Sequence, residues 1–485
     1  MENWLTKRAT LDPNKVALIF EYTDFTFTEL NSTVQLYASK LYQHGIHQGD
    51  RVAIFTANSF NGYIATLALQ QIGVEIVFLN TRLSESELSF QIADSGVTDC
   101  LIDDNLKHSQ LDNVSVSKTM MSEILSMPAS EEYEPVKEFK NDDVTSIMYT
   151  SGTSGRPKGV LQTFGNHFYS AIGMSLNLGI TDDDSWVLSV PLFHISGFSI
   201  MMRSLIYGMP VYLIEKFDET YINRILINER ASIISLVPTM LKRILNNLKT
   251  GQSFNDNFRC VFLGGGPIDN WTLLRCQMLE IPVIQSYGMT ETASNVVALN
   301  FKDADRKVGS SGQALFPVNL RITNQDEEGI GDIEIKAPNV AKGYLNQPDL
   351  FAAKMTDDGF YRTGDLGFLD KENFLFIKGR KDDMIISGGE NIYPEEVENI
   401  YGKIEGLESI AVIGVDDDDW GQIPVAYVTT DKDAYLNGQD LIEYGRNRLA
   451  HYKVPREFRL VEAMPLTSSG KLLRRKLGNL DYQKI

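Results

Sequence analysis

The chain has little of what would tie it to an oxidising or membranous setting. Its 485 residues include three cysteines, Cys100, Cys260 and Cys276. They are odd in number and form no CxxC pair, so neither a disulfide framework nor a thiolate metal site is indicated. A long hydrophobic run is also missing. The longest apolar stretch, Tyr63 to Leu79, is broken by Gln70, Gln71, Gly73 and Glu75, well short of the ~20 apolar residues of a membrane span. The N-terminus, MENWLTKRATLDPNKVALIF, lacks the apolar region and cleavage site of a signal peptide. A reducing, cytoplasmic compartment is therefore expected. Internal repeats and low-complexity tracts are absent, which excludes solenoids and disordered scaffolds. Positive charge is scarce as well, with 45 Lys and Arg against 64 Asp and Glu for a net of −19. A protein that tracks nucleic acid by neutralising phosphates is expected to be basic, so nucleic acid is not an expected partner.

What remains is an ordinary globular composition, 43% hydrophobic and 22% charged, able to fold around a large core. The length suggests about three structural units. Over the first 140 residues helical and strand patterns alternate. Thr28 can cap a helix bearing Leu30, Val34, Tyr37, Ala38 and Leu41 on one face, Gly45 can end it, and Val52 to Phe55 reads as a buried strand. Residues 127 to 142 are charged and read as an exposed connection before the strand Val144 to Tyr149. Helix and strand units continue to about residue 300. From Arg321 to about 380, short segments such as 332–335 and 374–377 between turn residues predict a β-rich subdomain. The last hundred residues differ again. Pro394 starts a helix with Glu395 and Glu396 in its first turn and Val397, Ile400, Tyr401 and Ile404 on one face, and strands 410–415 and 424–430 follow, a small α+β unit.

The densest chemical signal is Thr150-Ser-Gly-Thr-Ser-Gly-Arg-Pro-Lys158-Gly159, directly after an apolar strand. Its glycines and hydroxyls leave donors free to converge on an anion, and Lys158 adds a charge. It is not a Walker loop, because Pro157 stands where that pattern needs glycine. A plain Ser/Gly linker is the bland alternative, but linkers rarely carry Pro-Lys-Gly.

With this loop stand Gln285-Ser-Tyr-Gly-Met-Thr-Glu-Thr292, Tyr361-Arg-Thr-Gly-Asp365, Lys378 to Pro394 (KGRKDDMIISGGENIYP) and Pro465-Leu-Thr-Ser-Ser-Gly-Lys471. In these blocks, spread over nearly the whole chain, the sequence resembles the adenylate-forming acyl-CoA synthetases. One conservative departure is Gly331-Asp332-Ile333, where the family usually has Gly-Glu-Ile. The resemblance implies an α/β protein. Its large N-terminal body, residues 1–381, would hold two α/β subdomains and a β-rich one, and residues 382–485 would form a small mobile α+β lid. It also implies the roles. Thr150, Ser151, Gly152, Thr153, Ser154, Gly155 and Lys158 would hold phosphates, Thr290 would contact the α-phosphate, and Glu291 would hold Mg²⁺. Asp365 would bind the ribose hydroxyls, Arg380 would approach ribose or phosphate, and Tyr287, Gly288 and the backbone of Gly264, Gly265 and Gly266 would enclose adenine. Lys471 would bridge the substrate carboxylate and the α-phosphate. Asp382 would be the hinge and Gly388 and Gly389 would line the pantetheine tunnel of coenzyme A.

Each role has a chemical basis: a carboxylate accepts two hydrogen bonds from a cis-diol, and a carboxylate beside hydroxyls suits a hard ion bridging phosphates. Each also has a plainer alternative, Asp365 as a turn residue, Glu291 as an acid at a helix start, Lys471 and Asp382 as surface charges. The expected ligands are ATP, Mg²⁺, coenzyme A and a small carboxylic acid. The acyl pocket is expected at Pro191 to Phe198, with His194, Ser196 and Gly265 against the acid. In the apolar stretch that follows, Arg203 either snorkels outward, meets a structural carboxylate, or neutralises a second carboxylate on an aromatic dianionic acid. Aryl- or fatty-acid ligases, a carrier-loading enzyme and a luciferase-type oxygenase use the same blocks, and a homo-oligomer is compatible with all of them. Residues 453–485 carry eight Lys or Arg against three acids, so the lid is expected to bring positive charge to an acidic body.

Overall fold

A computed structural model describes residues 1–106, 109–150, 156–266, 268–430, 436–467 and 471–485. The first long helix, Phe27–His44, buries Leu30, Val34, Tyr37, Ala38 and Leu41 as its periodicity requires and ends at Gly45 in the left-handed region. Its cap is Thr26 rather than Thr28. Thr26 is extended at the end of the strand Thr23–Thr26, and Glu29 three residues on reaches back to its N–H while the Thr26 hydroxyl accepts from Glu29 N, a reciprocal box that Thr28 cannot make. The apolar stretch from Tyr63 divides into the helix Phe60–Ile72 and the strand Glu75–Phe78, joined at Gly73 with φ of +87°. No helix among the described residues is long and apolar enough to cross a membrane.

Among the described residues the chain forms four sheets. In a seven-stranded sheet the strands Val144–Thr150, Glu75–Phe78, Arg51–Phe55, Asp99–Ile102 and Ser117–Met120 run parallel. Lys158–Thr163 turns back antiparallel on Val144–Thr150. A nine-stranded sheet has a parallel centre, from Val16–Phe20 through Val211–Leu213, Trp186–Leu188, Ile233–Leu236 and Cys260–Leu263 to Val283–Met289, and antiparallel edges. One apolar core spans both sheets. A four-stranded antiparallel sheet, Asn319–Thr323, Gly331–Lys336, Tyr361–Leu369 and Leu375–Arg380, supplies the β-rich part.

The C-terminal six-stranded sheet, centred on the hairpin Leu407–Asp417 and Gly421–Thr430, carries the helices Pro394–Tyr401 and Gly438–Arg446. Its two cores draw only on residues from Ile385 onward. The α/β, β-rich and α+β units thus follow in the order read from the sequence. Residues 127–142 form the largely exposed connection expected, with Phe139 as the exception. Phe139 is buried and stacked on Phe164 with centroids 3.9 Å apart, and its carbonyl accepts from the N-terminal amine. An isolated aromatic in a charged segment gives no periodic signal, so its burial escapes pattern reading.

Candidate functional site

Several candidate residues meet in one cleft. Val144–Thr150 and Lys158–Thr163, the strands on either side of the loop, pair antiparallel, Thr150 with Lys158 and Tyr149 with Gly159. Ser151, Gly152, Thr153, Ser154 and Gly155 lie outside the described residues. Lys158 is 5% exposed, its ammonium 5.4 Å from the centre of the Tyr344 ring.

Parallel pairing of Cys260–Leu263 with Val283–Met289 sets Gly264 beside Ser286, whose Oγ lies 3.2 Å from where a Cβ on the glycine would stand. Gly265 has φ of +87°, and the Cε of Lys471 lies 3.7 Å from where a Cβ on it would stand. Tyr287 is buried, and its hydroxyl donates to Asp365 Oδ2 at 2.6 Å. Gly288 admits no side chain, because a Cβ would stand 2.0 Å from the Ser294 carbonyl oxygen. Asp365 faces Arg380 across the strand pair, with Oδ1 2.8 Å from the guanidinium Nε. That carboxylate raises the Arg380 pKa, and burial together with Asp365 holds the Tyr287 phenol neutral. Each Asp365 oxygen keeps a lone pair for a further donor such as a diol hydroxyl.

Thr290 and Glu291 occupy a short 3₁₀ turn, anchored where Gln162 donates to the Thr290 carbonyl at 2.8 Å and Ala341 N–H to that of Glu291 at 2.8 Å. Glu291 Oε1 accepts from the Tyr344 hydroxyl at 2.9 Å, and Tyr344 meets the Tyr361 hydroxyl at 3.0 Å. Among the described residues no cluster of three His, Cys, Asp or Glu could cage a metal. A single carboxylate near hydroxyls fits Mg²⁺ if phosphate oxygens and water complete the shell.

Lys471 N–H donates to Thr467 Oγ1 at 2.9 Å, and Thr467 N–H donates to the Lys471 carbonyl at 2.6 Å. Lys471 is exposed along its length, yet desolvation at the ammonium and then Arg380 lower its pKa, while Asp365 and Glu291 oppose them. His194 precedes the helix Ile195–Tyr207, and burial, then Lys471 and Arg82, bring its pKa down to about 4, a neutral imidazole at pH 7. Ser196 is half-buried in the first turn of that helix.

Arg203 lies deeper, 2% exposed. One guanidinium nitrogen donates to Ser294 Oγ at 3.2 Å and Asn295 Oδ1 at 3.1 Å, and the group lies 5.1 Å from the Trp186 ring centre and 5.9 Å from that of Phe262. It does not snorkel outward. Among the described residues it has no carboxylate partner, and its Nε is without a hydrogen bond.

The remaining candidates lie outside this cluster. Asp382 is exposed in the turn Lys381–Asp383, which joins the four-stranded sheet to the six-stranded one. Gly388 and Gly389 close the hairpin Ile385–Ser387 and Glu390–Ile392 with positive φ, and a Cβ on Gly388 would stand 2.7 Å from the Trp420 ring. The basic C-terminal segment is half neutralised within its own unit. Lys453 pairs with Glu396, Arg459 and Lys484 with Glu457, and Arg474 with Glu398. Four of the eight cations in residues 453–485 thus have carboxylate partners, which halves the positive charge this segment can offer.

The chain belongs to the AMP-binding enzyme family, which it matches over residues 5–345, while residues 396–471 match the AMP-binding enzyme C-terminal domain. It is 43% identical over 480 residues to the 2-succinylbenzoate–CoA ligase of Listeria monocytogenes serotype 4b (strain F2365), covering 98% of this chain and 99% of that one. Its fold is similar to o-succinylbenzoate coenzyme A synthetase of Bacillus subtilis, 38% identical. The TM-score is 0.94 for the complex with the acyl-adenylate intermediate, covering 100% of this chain and 99% of that one. It is 0.92 for the complex with ATP and magnesium ion, covering 99% of each. For a double mutant of that synthetase bound to a product analogue, 39% identical, it is 0.76, covering 100% and 99%. The arrangement of this chain is thus closer to the adenylate-bound form than to the product-analogue-bound one.

Proposed function

We propose that this AMP-binding enzyme is a 2-succinylbenzoate–CoA ligase of menaquinone synthesis. It couples the acid to AMP at the expense of ATP and transfers the acyl group to coenzyme A, releasing AMP and pyrophosphate. The observation that carries the reading is full-length similarity to such ligases together with a fold that matches an acyl-adenylate complex. ATP, Mg²⁺ and coenzyme A are its co-substrates and cofactor. The cytoplasm, which supplies ATP and coenzyme A, is the compartment proposed, in keeping with three free, buried thiols.

In the first step a carboxylate oxygen attacks the α-phosphorus, the bond to the bridging oxygen breaks, and pyrophosphate leaves with the electron pair. The Lys471 Cε lies against Gly265, from where its ammonium would meet both the acid and the α-phosphate and stabilise the charge that builds on phosphorus. Thr290 would donate to the α-phosphate. Asp365 would hold the ribose diol, steadied by Arg380, and Tyr287 with Gly264 to Gly266 would enclose adenine. Glu291 is the carboxylate proposed to hold Mg²⁺, which when bound offsets phosphate charge. His194, neutral at pH 7, can close over the acyl end without adding a cation beside Lys471. For the second step residues 382–485 are proposed to turn on Asp382 as a lid over the body 1–381, withdrawing Lys471 and bringing Gly388 and Gly389 to the pantetheine path. The thiol, of pKa ~8.5 when free, then attacks the acyl carbon as thiolate.

Arg203 is assigned to the second carboxylate of the acid. A buried guanidinium without an anion is costly, and a dianionic ligand would relieve that cost. The test is a panel of o-succinylbenzoate, benzoate, 4-chlorobenzoate and octanoate with ATP and coenzyme A, read by AMP release. Preference for o-succinylbenzoate is expected, and preference for a monoanionic acid would overturn the substrate assignment.

A further inference from the structure

Two buried or half-buried lysines flank Glu291 without any carboxylate of their own. Lys158 lies on the face of Tyr344, and the ammonium of Lys354 lies 5.5 Å from the centre of the Tyr361 ring. Among the described residues neither forms an ion pair within 4.0 Å, whereas Lys307, Lys381 and Lys453 each do. The two rings are linked through their hydroxyls, and Tyr344 continues the link to Glu291.

Lys354 reaches this position by a specific route. The helix Pro348–Ala352 ends just before it, its N–H donates to the Phe351 carbonyl, and its own carbonyl accepts from Arg362 N–H at 2.8 Å, which pins it beside the strand Tyr361–Leu369. Phe351 packs against both tyrosines and fixes the platform. An aromatic face holds an ammonium without neutralising it, so the charge stays available to a ligand. Burial lowers the Lys354 pKa against Glu291, Lys158 and Arg380 act in the same direction as burial, and Asp365 opposes with Glu291. The cations around Glu291 thus outnumber the nearby acids, the balance a polyphosphate would restore.

We propose that Lys354 is a second phosphate-binding cation of this site. It works with Lys158 across the Tyr344–Tyr361 pair to hold the β- and γ-phosphates of ATP and to stabilise the departing pyrophosphate. When the bond between the α-phosphorus and the bridging oxygen breaks, its electron pair stays on the β-phosphate, so negative charge grows on the group that Lys354 faces. Tyr361 acts as a positioning residue that sets where the ammonium sits. The assignment rests on the adenylate-forming reading of the cleft and not on which acid is activated.

The experiment compares wild type with Lys354→Met and Lys354→Arg, using direct titration of MgATP, of Mg-pyrophosphate and of AMP, alongside ATP–pyrophosphate exchange. Loss of one charge-assisted contact predicts about tenfold weaker binding of MgATP and of pyrophosphate to Lys354→Met. AMP affinity should be unchanged, and Lys354→Arg should recover most of the loss. An equal loss for AMP and ATP, or no loss for either, overturns the proposal. Should Lys354→Met fail to fold, Lys354→Gln serves in its place and is read the same way. A wild type that binds MgATP but exchanges no pyrophosphate with o-succinylbenzoate would refute the acid while leaving the Lys354 comparison readable.

Discussion

Asp365 and Glu291 lie in one cleft and are treated in opposite ways. Asp365 has both oxygens engaged, one by the Tyr287 hydroxyl and one by Arg380. Among the described residues Glu291 takes one neutral donor, Tyr344, while two lysines nearby stay without carboxylates. A neutral diol asks only for fixed acceptors, so a carboxylate locked in place by its own partners suits it. A polyanion asks for charge that the protein has not already consumed. One end of the cleft is pre-organised, and the other is left electrostatically open.

The largest effect is expected at Lys471, whose Cε lies beside Gly265 and whose ammonium feels both Asp365 and Glu291. Lys471→Ala should lower adenylate formation by about 10²- to 10³-fold, the scale of a lost transition-state donor, yet spare thioester formation from supplied acyl-adenylate. Measuring the half-reactions separately checks this, and equal losses in both would reject the assigned role. Next comes the closed end. Asp365→Asn should cost about tenfold or more in adenylation, since it removes a charged acceptor and leaves Arg380 unpaired. The wild type should discriminate against 2′-deoxy-ATP and the variant should not, so retained discrimination would point to another diol contact. At the open end, Tyr344→Phe removes the donor that orients Glu291. The Mg²⁺ concentration for half-maximal adenylation should rise about tenfold while the KM for the acid stays put, and a metal titration at saturating acid reads both.

The smallest effect concerns the seam between the two units. Glu395 lies close to Gly379, and its carboxyl is raised to about 7 by burial first, then Glu398, with Asp365 and Asp383 adding and Arg474 opposing. Because the folded value lies above the ordinary 4.5, its stabilising contribution is full below that pH and is lost as pH rises through about 7. Glu395→Gln should therefore melt about one to two degrees above wild type at pH 8 and level with it at pH 5. A constant offset at both pH values would show that ionisation is not the cause.

Much of this was legible in the chain. The order of α/β, β-rich and α+β units follows from hydrophobic period, and Tyr287, Asp365, Arg380 and Lys471 stand in contiguous blocks whose chemistry reads locally. Tyr361 belonged to such a block without a role, and Lys354 and Tyr344 belonged to none. Tyr344 meets Glu291 across 53 residues of sequence, a pairing made by two sheets and a short helix coming together, for which no local pattern exists. The phosphate loop shows the same limit. Nothing local in its sequence says that Lys158–Thr163 returns antiparallel on Val144–Thr150, a pairing made through space.

The sequence by itself determined the chemical inventory, the secondary-structure periods and the family blocks, because these depend on neighbours a few residues apart. Tertiary structure alone decided which charges are consumed and which stay free. It matched Lys453, Arg459, Arg474 and Lys484 to glutamates and left Lys158 and Lys354 on aromatic faces. Coulomb energy and desolvation are set by distance and burial through space, quantities that exist only once the sheets have packed.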